Sequence, residues 1–199
     1  MLFSVVIPTR NRLELLRDAL RGLAAQTLPA SEFEVVVVDN GSTDGTFESL
    51  SAESEDYPYA LNVIKNPDCE RGPAPARNLG VREAKGQIIA FLDSDDLWYE
   101  EKLNKQLNFM KQNHYAFTYT GFEKINETGK VIGAIIPYKK EVCYYDLLKS
   151  NHIGCLTAMI DLEILGHKMY MPNIKKRQDQ GLWLDVLKEI DKAYCLCEI

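Results

Sequence analysis

The sequence predicts an α/β protein with a mostly parallel central sheet flanked by helices and a smaller mixed or antiparallel part in its second half. Short β-branched, apolar runs alternate with stretches of helical periodicity through the first half of the chain. This alternation is typical of parallel strands joined by right-handed helical crossovers. The chain has 199 residues, 46% hydrophobic and 26% charged, so we expect a single domain over residues 1–199.

Four strands and three helices are predicted in the first half. The strands are apolar runs that stop at polar residues, as buried parallel strands do, and they cover residues 2–7, 35–38, 60–64 and 88–92. One helix is predicted to begin near Arg12 and another near Thr46. A third is predicted over 75–85, where Gly86 fits a C-terminal stop.

The second half has a weaker pattern. A helix is predicted over 101–112 and another over 180–190. Strands over 115–122 and 131–136, joined by a polar turn, indicate a hairpin. Two more strands are predicted, and they cover residues 155–160 and the segment around 195–197.

Composition argues against several classes of function. The net charge is -6 and the sequence pI is about 5.2, and no Lys/Arg run is typical of nucleic-acid binding, so we expect no nucleic-acid partner. The five cysteines include no CxxC pair. Cys195 and Cys197 would point the same way along a strand, which is weak evidence for zinc, and a reduced compartment fits better than a disulfide framework.

The N-terminal residues predict a cytoplasmic protein. The segment MLFSVVIPT has no basic region and no small-residue cleavage site, so we predict no signal peptide. No stretch approaches the roughly 18 apolar residues that a membrane span needs.

Three polar clusters follow predicted strands of the first half. They lie at residues 8–10, 39–40 and 93–95. Ligands of parallel sheets bind at the carboxyl ends of the strands. The sequence therefore predicts that these clusters face one crevice.

The third cluster is acidic. Asp93, Asp95 and Asp96 fall within four positions, and such clustering is costly unless a cation neutralises it. Carboxylates are hard oxygen ligands that suit Mg²⁺ or Mn²⁺ bridging to phosphate. For Asp96 we prefer helix capping, and for Asp93 and Asp95 a role with metal and nucleotide.

Two other residues have two interpretations each. Asp39 could accept a hydrogen bond from a base or ribose, or it could stabilise a turn with Ser42. Arg77 could pair with a base carbonyl, a diphosphate or an aspartate, or it could brace the sheet. The loop after residue 39 lacks GxGxxG, which disfavours dinucleotide binding.

Asp179 stands at the start of the last predicted helix. The helix dipole there favours an ionised carboxylate, which is what a general base needs. The alternative is a simple N-terminal capping aspartate.

The ordered motifs resemble family 2 glycosyltransferases. They are SVVIPTRNR, VVVVDNGSTDGT, ARNLGVREAKG, IIAFLDSDD and RQDQGLWL, and together they cover nearly the whole chain. The resemblance implies inverting enzymes of the GT-A fold, whose central sheet is Rossmann-like. It also implies a nucleotide-sugar-binding half over about 1–98 and an acceptor-side half over about 99–199. Many relatives continue well beyond the position of Ile199, so we expect the second half to be truncated.

The resemblance implies a role for each matched residue. Pro8, Thr9, Arg10, Asp39, Arg77, Asp93 and Ser94 would bind the nucleotide-sugar. Asp95 would coordinate Mn²⁺ or Mg²⁺ on the diphosphate, and Asp179 would be the catalytic base. Two positions depart from the family pattern, since Asn40 and Gln178 stand where acidic residues are common.

The expected reaction is transfer of a sugar from a nucleotide-diphosphate sugar, with UDP as the default, to a saccharide or lipid-linked saccharide. By analogy the setting is envelope or capsular polysaccharide synthesis, with peripheral association at the inner face of the plasma membrane. Two alternatives stay open. One is an inactive relative that binds a nucleotide-sugar. The other is a metal-dependent phosphatase, which the position of the acidic motif after the fourth strand disfavours.

Overall fold

A computed structural model describes residues 2–67, 72–133 and 139–198. These residues form one eight-stranded sheet with helices on both faces. The strands are β1 Phe3–Thr9, β2 Phe33–Asp39, β3 Ala60–Lys65, β4 Ile88–Phe91, β5 Phe117–Thr120, β6 Glu141–Cys143, β7 Met159–Asp161 and β8 Lys192–Leu196. The helices are α1 Leu13–Ala24, α2 Thr46–Glu53, α3 Pro73–Glu83, α4 Lys102–Asn113, α5 Tyr144–Lys149, α6 Leu162–Leu165 and α7 Gln178–Glu189.

The first half of the chain confirms the predicted parallel sheet. The strand order is β3-β2-β1-β4-β7-β5-β8-β6, and the first four strands in this order are mutually parallel. Thr9 pairs with Asp39 at the carboxyl ends of β1 and β2. The polar clusters that follow the strands are therefore brought to one edge of the sheet.

The second half departs from the predicted hairpin. β5 pairs with β7 and β8, whereas the segment after it forms a single isolated bridge between Ile125 and Val131. For residues 131–133, the prediction of a strand that pairs with β5 is therefore wrong. The rest of that predicted strand, residues 134–136, lies outside the described residues, and so do Cys69 and Arg71. β5 pairs with β7 and β8, which are distant in sequence, and in this position all its residues are buried.

Two further predictions need correction. The strand predicted over 155–160 is a 3₁₀ turn at Cys155–Thr157 followed by the short β7. Asp96 does not cap α4, because that helix begins six residues later, with Glu101 at its N-cap. Asp96 instead closes a tight turn, in which its N–H donates to the carbonyl of Asp93 at 3.0 Å.

The core lies in two layers, one on each face of the sheet. Val5 and Val35 point to the face covered by α1 and α4. Val6 points to the opposite face, where α3 and α7 pack and Trp183 is fully buried. This alternation is the period-2 consequence of strand geometry. No helix of the described residues is long and apolar enough to cross a bilayer.

Glycines let α3 and its exit lie directly on β1. A Cβ at Gly80 would lie 2.4 Å from Cγ1 of Val6, and one at Gly86 would lie 2.3 Å from the backbone of Phe3. The prediction of Gly86 as a helix stop is therefore wrong, since α3 ends at Glu83. The residue is a glycine because two backbones approach closely there.

Gly80→Ala is expected to lower the free energy of unfolding by about 1–3 kcal/mol, because the new methyl group overpacks the α3–β1 contact. Gly22→Ala is the matched control, since Gly22 is also inside a helix but its Cβ would meet nothing closer than 4.0 Å. That change is expected to stabilise by about 0.5–1 kcal/mol through helix propensity. Urea denaturation measures both, and equal effects at the two glycines would contradict the packing argument.

Candidate functional site

A cavity of about 490 Å³ lies at the carboxyl edge of the parallel strands. We call it the main cleft. Its lining is polar and carries both signs of charge. The residues that line it are Pro8, Thr9, Arg10, Arg12, Asn40, Gly72, Pro73, Arg77, Asp93, Ser94 and Asp95. The sequence thus places three arginines and two aspartates in one space.

Hydrogen bonds tie together the loops that follow β1 and β2. Asn11, which adopts a positive φ of 52°, donates its N–H to Oγ of Ser42 at 2.9 Å and accepts from the N–H of Thr43 at 2.7 Å. Asn40 donates from Nδ2 to the carbonyl of Gly72 at 3.2 Å. An aspartate at position 40 could not make that donation, so asparagine suits this position.

One face of the main cleft is an ion pair. Arg77 on α3 is 6% exposed, and its guanidinium donates to Oδ1 of Asp93. Burial by itself opposes the charge of Arg77, but the carboxylates of Asp93 and Asp179 favour the charged form, and its pKa lies above the ordinary value. Burial raises the pKa of the Cys155 thiol, which keeps it protonated.

The 93–96 turn concentrates negative charge. Burial, followed by the charges of Asp93 and Asp95, raises the pKa of Asp96 to about 6. The carboxylate of Asp95 is exposed to solvent and lies 2.6 Å from Nη1 of Arg12. The turn thus already holds one positive group against Asp95.

Most of the predicted site residues come together. Seven of them line the main cleft: Pro8, Thr9, Arg10, Arg77, Asp93, Ser94 and Asp95. Asp39 does not line it, being 1% exposed with its carboxylate oxygens 3.2 and 3.3 Å from the N–H of Ser42. That contact matches the turn-stabilising interpretation.

Asp179 also lies outside the lining of the main cleft among the described residues. It occupies the first turn of α7, and its Oδ2 accepts from Nδ2 of Asn151 at 3.1 Å. In the described part of the chain no side chain caps this helix, whose N-cap is Arg177 with a positive φ of 59°. The alternative role of Asp179 as the capping residue is therefore not supported.

Sequence reasoning missed several residues of the main cleft. Arg12 is the most notable, because it pairs with Asp95, and its signal was a second arginine two positions after Arg10. Gly72 and Pro73 place the N-terminus of α3 at the main cleft. Gly72 has a φ of 97°, a conformation that favours glycine.

The fold and the cleft define an α/β domain with a charged cleft at the carboxyl edge of its parallel strands, which is where ligands of such sheets bind. Residues 4–161 match the family described as Glycosyl transferase family 2. This chain belongs to that family. The match covers every residue that lines the main cleft.

Individual relatives agree with the family match. The chain is 38% identical to TuaG of Bacillus subtilis (strain 168), provisionally named a teichuronic acid biosynthesis glycosyltransferase, over 99% of this chain and 78% of that protein. It is 33% identical to WfgD of Escherichia coli, over 94% of this chain and 70% of that protein. WfgD is named a UDP-Glc:alpha-D-GlcNAc-diphosphoundecaprenol beta-1,3-glucosyltransferase.

A solved structure confirms the fold. The crystal structure of S. aureus TarS 1-349 in complex with UDP superposes with a TM-score of 0.82 at 27% identity, over 100% of this chain. The predicted GT-A fold class is therefore confirmed. The chain spans 59% of that TarS chain, 36% of a longer TarS chain and 30% of a relative from Rickettsia felis.

Proposed function

We propose that this chain transfers a sugar from a nucleotide-diphosphate sugar to an acceptor hydroxyl with inversion at the anomeric carbon. One observation carries the proposal: the main cleft joins three arginines to the 93–95 acidic turn at the carboxyl edge of the sheet. Cationic side chains suit a diphosphate. The family match makes sugar transfer the reaction to expect at such a site.

Thr9, in the lining of the main cleft, supports the binding of a polar ligand there. Thr9 is 3% exposed, and its buried Oγ1 has no hydrogen-bond partner among the described residues. Buried hydroxyls are nearly always paired. We assign Thr9, with Pro8, Arg10 and Ser94, to binding of the nucleotide-sugar, and Arg77 to holding Asp93 toward it.

Asp39 does not line the main cleft, but it lies next to residues that do. It lies beside Thr9 in the neighbouring strand, and its carboxylate accepts a hydrogen bond from the N–H of Ser42 in the loop after β2. We propose that a nucleobase binds against this loop, with Asp39 as its contact at the end of β2. UDP is the default nucleotide, since the TarS structure is a complex with UDP.

The residues of the 93–95 turn fit a divalent cation. No three His, Cys, Asp or Glu side chains cluster as a metal site among the described residues. Mg²⁺ and Mn²⁺ need no such cage, because one or two carboxylates suffice when substrate phosphates and water complete the shell. Arg12 already places a positive group 2.6 Å from Asp95.

We propose that Asp95 holds Mn²⁺ or Mg²⁺ and that Asp93 faces the ribose and metal region. Bound there, the ion supplies Lewis-acid stabilisation of the charge on the departing nucleotide diphosphate. Arg12 must leave Asp95 for this to happen. It lines the main cleft, so the diphosphate is its natural new partner.

Asp179 is the proposed general base. It removes the proton of the acceptor hydroxyl while that oxygen forms a bond to the anomeric carbon from the face opposite the leaving group. The bond from that carbon to the diphosphate oxygen breaks in the same displacement, which inverts the centre. Asp179 suits this role because it lies in the first turn of α7, where the helix dipole favours negative charge, and because Asn151 orients it.

The proposed acceptor is a saccharide or lipid-linked saccharide, in envelope or capsular polysaccharide synthesis at the inner face of the plasma membrane. Two relatives support this setting. TuaG is named for teichuronic acid biosynthesis, and WfgD is named for a diphosphoundecaprenol-linked acceptor.

A thermal-shift panel of UDP, GDP, CDP and dTDP, each with and without Mn²⁺, tests the donor site. We expect one nucleotide, UDP, to raise Tm in a Mn²⁺-dependent way, because ligands that bind only the folded state stabilise it by mass action. At a concentration about 100 times Kd the gain is roughly 2.7 kcal/mol, which corresponds to a rise of about 5–10 °C. Asp95→Ala should abolish the Mn²⁺-dependent part.

Asp185→Ala is the matched control for that variant. Its side chain has the same 44% exposed fraction as Asp95 and is likewise paired with a cation, Lys188. The control should keep the full shift. Absence of a shift with every nucleotide would sink the proposed donor site. A shift without Mn²⁺-dependent hydrolysis of UDP-glucose would indicate an inactive binding protein instead.

A further inference from the structure

A second cavity, of about 300 Å³, has Asp96 of the acidic turn in its lining. Asp96 lines this second cavity, whereas Asp93 and Asp95 line the main cleft. The hydrogen bond from Asp96 N–H to the Asp93 carbonyl, at 3.0 Å, closes the turn between them. The two cavities are therefore neighbours that share one wall.

The second cavity has aromatic and aliphatic walls. We call it the Trp98 cavity, and it is lined by Trp98, Tyr99, Lys102, Phe122, Ile125 and Leu156, among others. Nε1 of Trp98 donates to the carbonyl of Leu156 at 2.9 Å, which fixes the indole as a wall. Planar aromatic faces at a polar boundary suit ligands that are apolar on one side and polar on the other.

The rim of the Trp98 cavity is exposed and apolar. Leu97 is 49% exposed, Tyr99 57%, Ile125 41% and Val131 44%, and all four line the cavity. Isolated exposed apolar residues are ordinary, but a contiguous group around a cavity marks a binding site. The volume lies at the lower end of the range of about 300–1,000 Å³ for small-molecule sites, so the occupant is a small molecule or one end of a larger one.

A buried lysine that lacks a hydrogen-bond or ion-pair partner among the described residues completes this cavity. Lys102 is 8% exposed, and its Nζ has no hydrogen-bond or ion-pair partner among the described residues. The ammonium stands 4.2 Å from the centroid of the Trp98 ring. Burial lowers the pKa of Lys102 to about 7. An ammonium held in this way needs an oxygen acceptor, and the described part of the protein supplies none.

We propose that the Trp98 cavity binds the acceptor at the junction between its saccharide and an apolar aglycone. This inference rests on the proposed function. It adds the location of the acceptor and the recognition of its apolar aglycone. The sugar lies against Trp98 beside Asp96, next to the acidic turn. Lys102 donates to an oxygen at the junction, either a hydroxyl or a phosphate oxygen, and the apolar chain leaves over Ile125 and Val131.

Tryptophan fluorescence gives a direct test on the whole chain, without donor or turnover. The chain has two tryptophans, and Trp183 is fully buried in the core, so a ligand in the cavity perturbs Trp98 alone. The probes are octyl β-D-glucopyranoside and octyl phosphate, both below their critical micelle concentrations, and methyl β-D-glucopyranoside. We expect a saturable change with at least one octyl probe. We also expect the methyl glucoside to bind at least about 10-fold more weakly than the octyl glucoside, because it lacks the methylene groups whose burial favours binding.

Variants of the cavity make the test specific. Tyr99→Ala should lower the affinity for the octyl probe about five-fold or more, because it removes an aromatic face that packs on the ligand. Tyr145→Ala should leave this affinity unchanged. Tyr145 is a matched control, because it is 72% exposed on α5 and outside the cavity. Trp98→Phe should abolish the fluorescence change, which identifies the reporter.

Lys102→Met separates binding from folding. This variant is expected to be more stable than the natural protein, yet to bind the preferred octyl probe about 10-fold more weakly through loss of a charged hydrogen bond. If Lys102→Met weakens binding of the octyl glucoside, the oxygen that Lys102 contacts at the junction is a hydroxyl. If it weakens binding of octyl phosphate, that oxygen belongs to a phosphate.

Two results would overturn the inference: no saturable response to either octyl probe, or equal affinity for the octyl and methyl glucosides. A protein that binds UDP with Mn²⁺ but gives either of these results would keep its proposed function and lose the inferred acceptor cavity. A protein that fails the nucleotide panel loses the proposed function first.

Discussion

Asp179→Asn is expected to lower the rate of sugar transfer by about 10²–10⁴-fold, the usual contribution of a general base, while donor binding changes little. Asparagine cannot take the acceptor proton. It can still accept the hydrogen bond that Asn151 donates to position 179 at 3.1 Å, so the start of α7 stays in place. Release of UDP from UDP-glucose in the presence of Mn²⁺ and octyl β-D-glucopyranoside measures turnover, and calorimetry with UDP measures donor binding.

Asp185→Asn is the control for this substitution. Asp185 lies on the same helix, pairs with Lys188 at 2.7 Å and is not among the residues that line the main cleft, so turnover should be unchanged. If Asp179 acts as the base in the chemical step, its substitution should lower kcat and kcat/KM by the same factor and leave the Kd of the donor unchanged. Equal losses of donor affinity and turnover in Asp179→Asn would instead assign the residue to donor binding.

Lys102→Met is expected to raise the free energy of unfolding by about 4 kcal/mol at pH 6. Burial lowers the pKa of Lys102 from 10.5 to about 7, and a tenfold change in the acid dissociation constant corresponds to about 1.4 kcal/mol. Loss of the cation–π contact with Trp98, worth about 1 kcal/mol, offsets part of the gain. Chemical denaturation of both proteins as a function of pH measures the difference.

The pH dependence has a defined sign. Below pH 7 the lysine is charged in both states, and the folded protein bears the full cost of burying the charge. Between pH 7 and about 10 the folded lysine is neutral while the unfolded one keeps its proton, so the natural protein gains stability as the pH rises. The advantage of Lys102→Met should therefore shrink over that window.

Lys105→Met is the control for the pH series. Lys105 lies one turn further along α4, 44% exposed, with Glu101 and Glu198 as partners. Its substitution should leave stability nearly unchanged at pH 6. A pH-independent gain from Lys102→Met would mean that the lysine is not buried in its charged form.

Local pattern was enough for the first half of the fold. The apolar runs that became β1 and β2 stop at Thr9 and Asp39, close to where their β-branched residues end. Strand periodicity and stop signals are properties of neighbouring residues, so a sequence displays them directly. The parallel crossovers then follow from chain handedness, which is why seven predicted site residues do line one cleft.

Local pattern failed where pairing partners are distant. A polar turn at 126–129 indicated a hairpin, but β5 instead pairs with β7, far along the chain, and with β8 near the end of the described residues. The choice between these partners depends on which surfaces become buried, and periodicity carries no information about that. The same reason explains Gly86, whose need for glycine comes from the backbone of Phe3.

The sequence by itself determined the fold class, the parallel half of the sheet, the acidic turn and the family to which the chain belongs, because each is written in contiguous residues. The tertiary structure alone decided which charges meet. Arg77 against Asp93, Arg12 against Asp95 and the unpartnered Lys102 beneath Trp98, all within the described residues, depend on side chains from separate elements converging in space. Charge pairing and burial are properties of that convergence, so they appear only once the chain is folded.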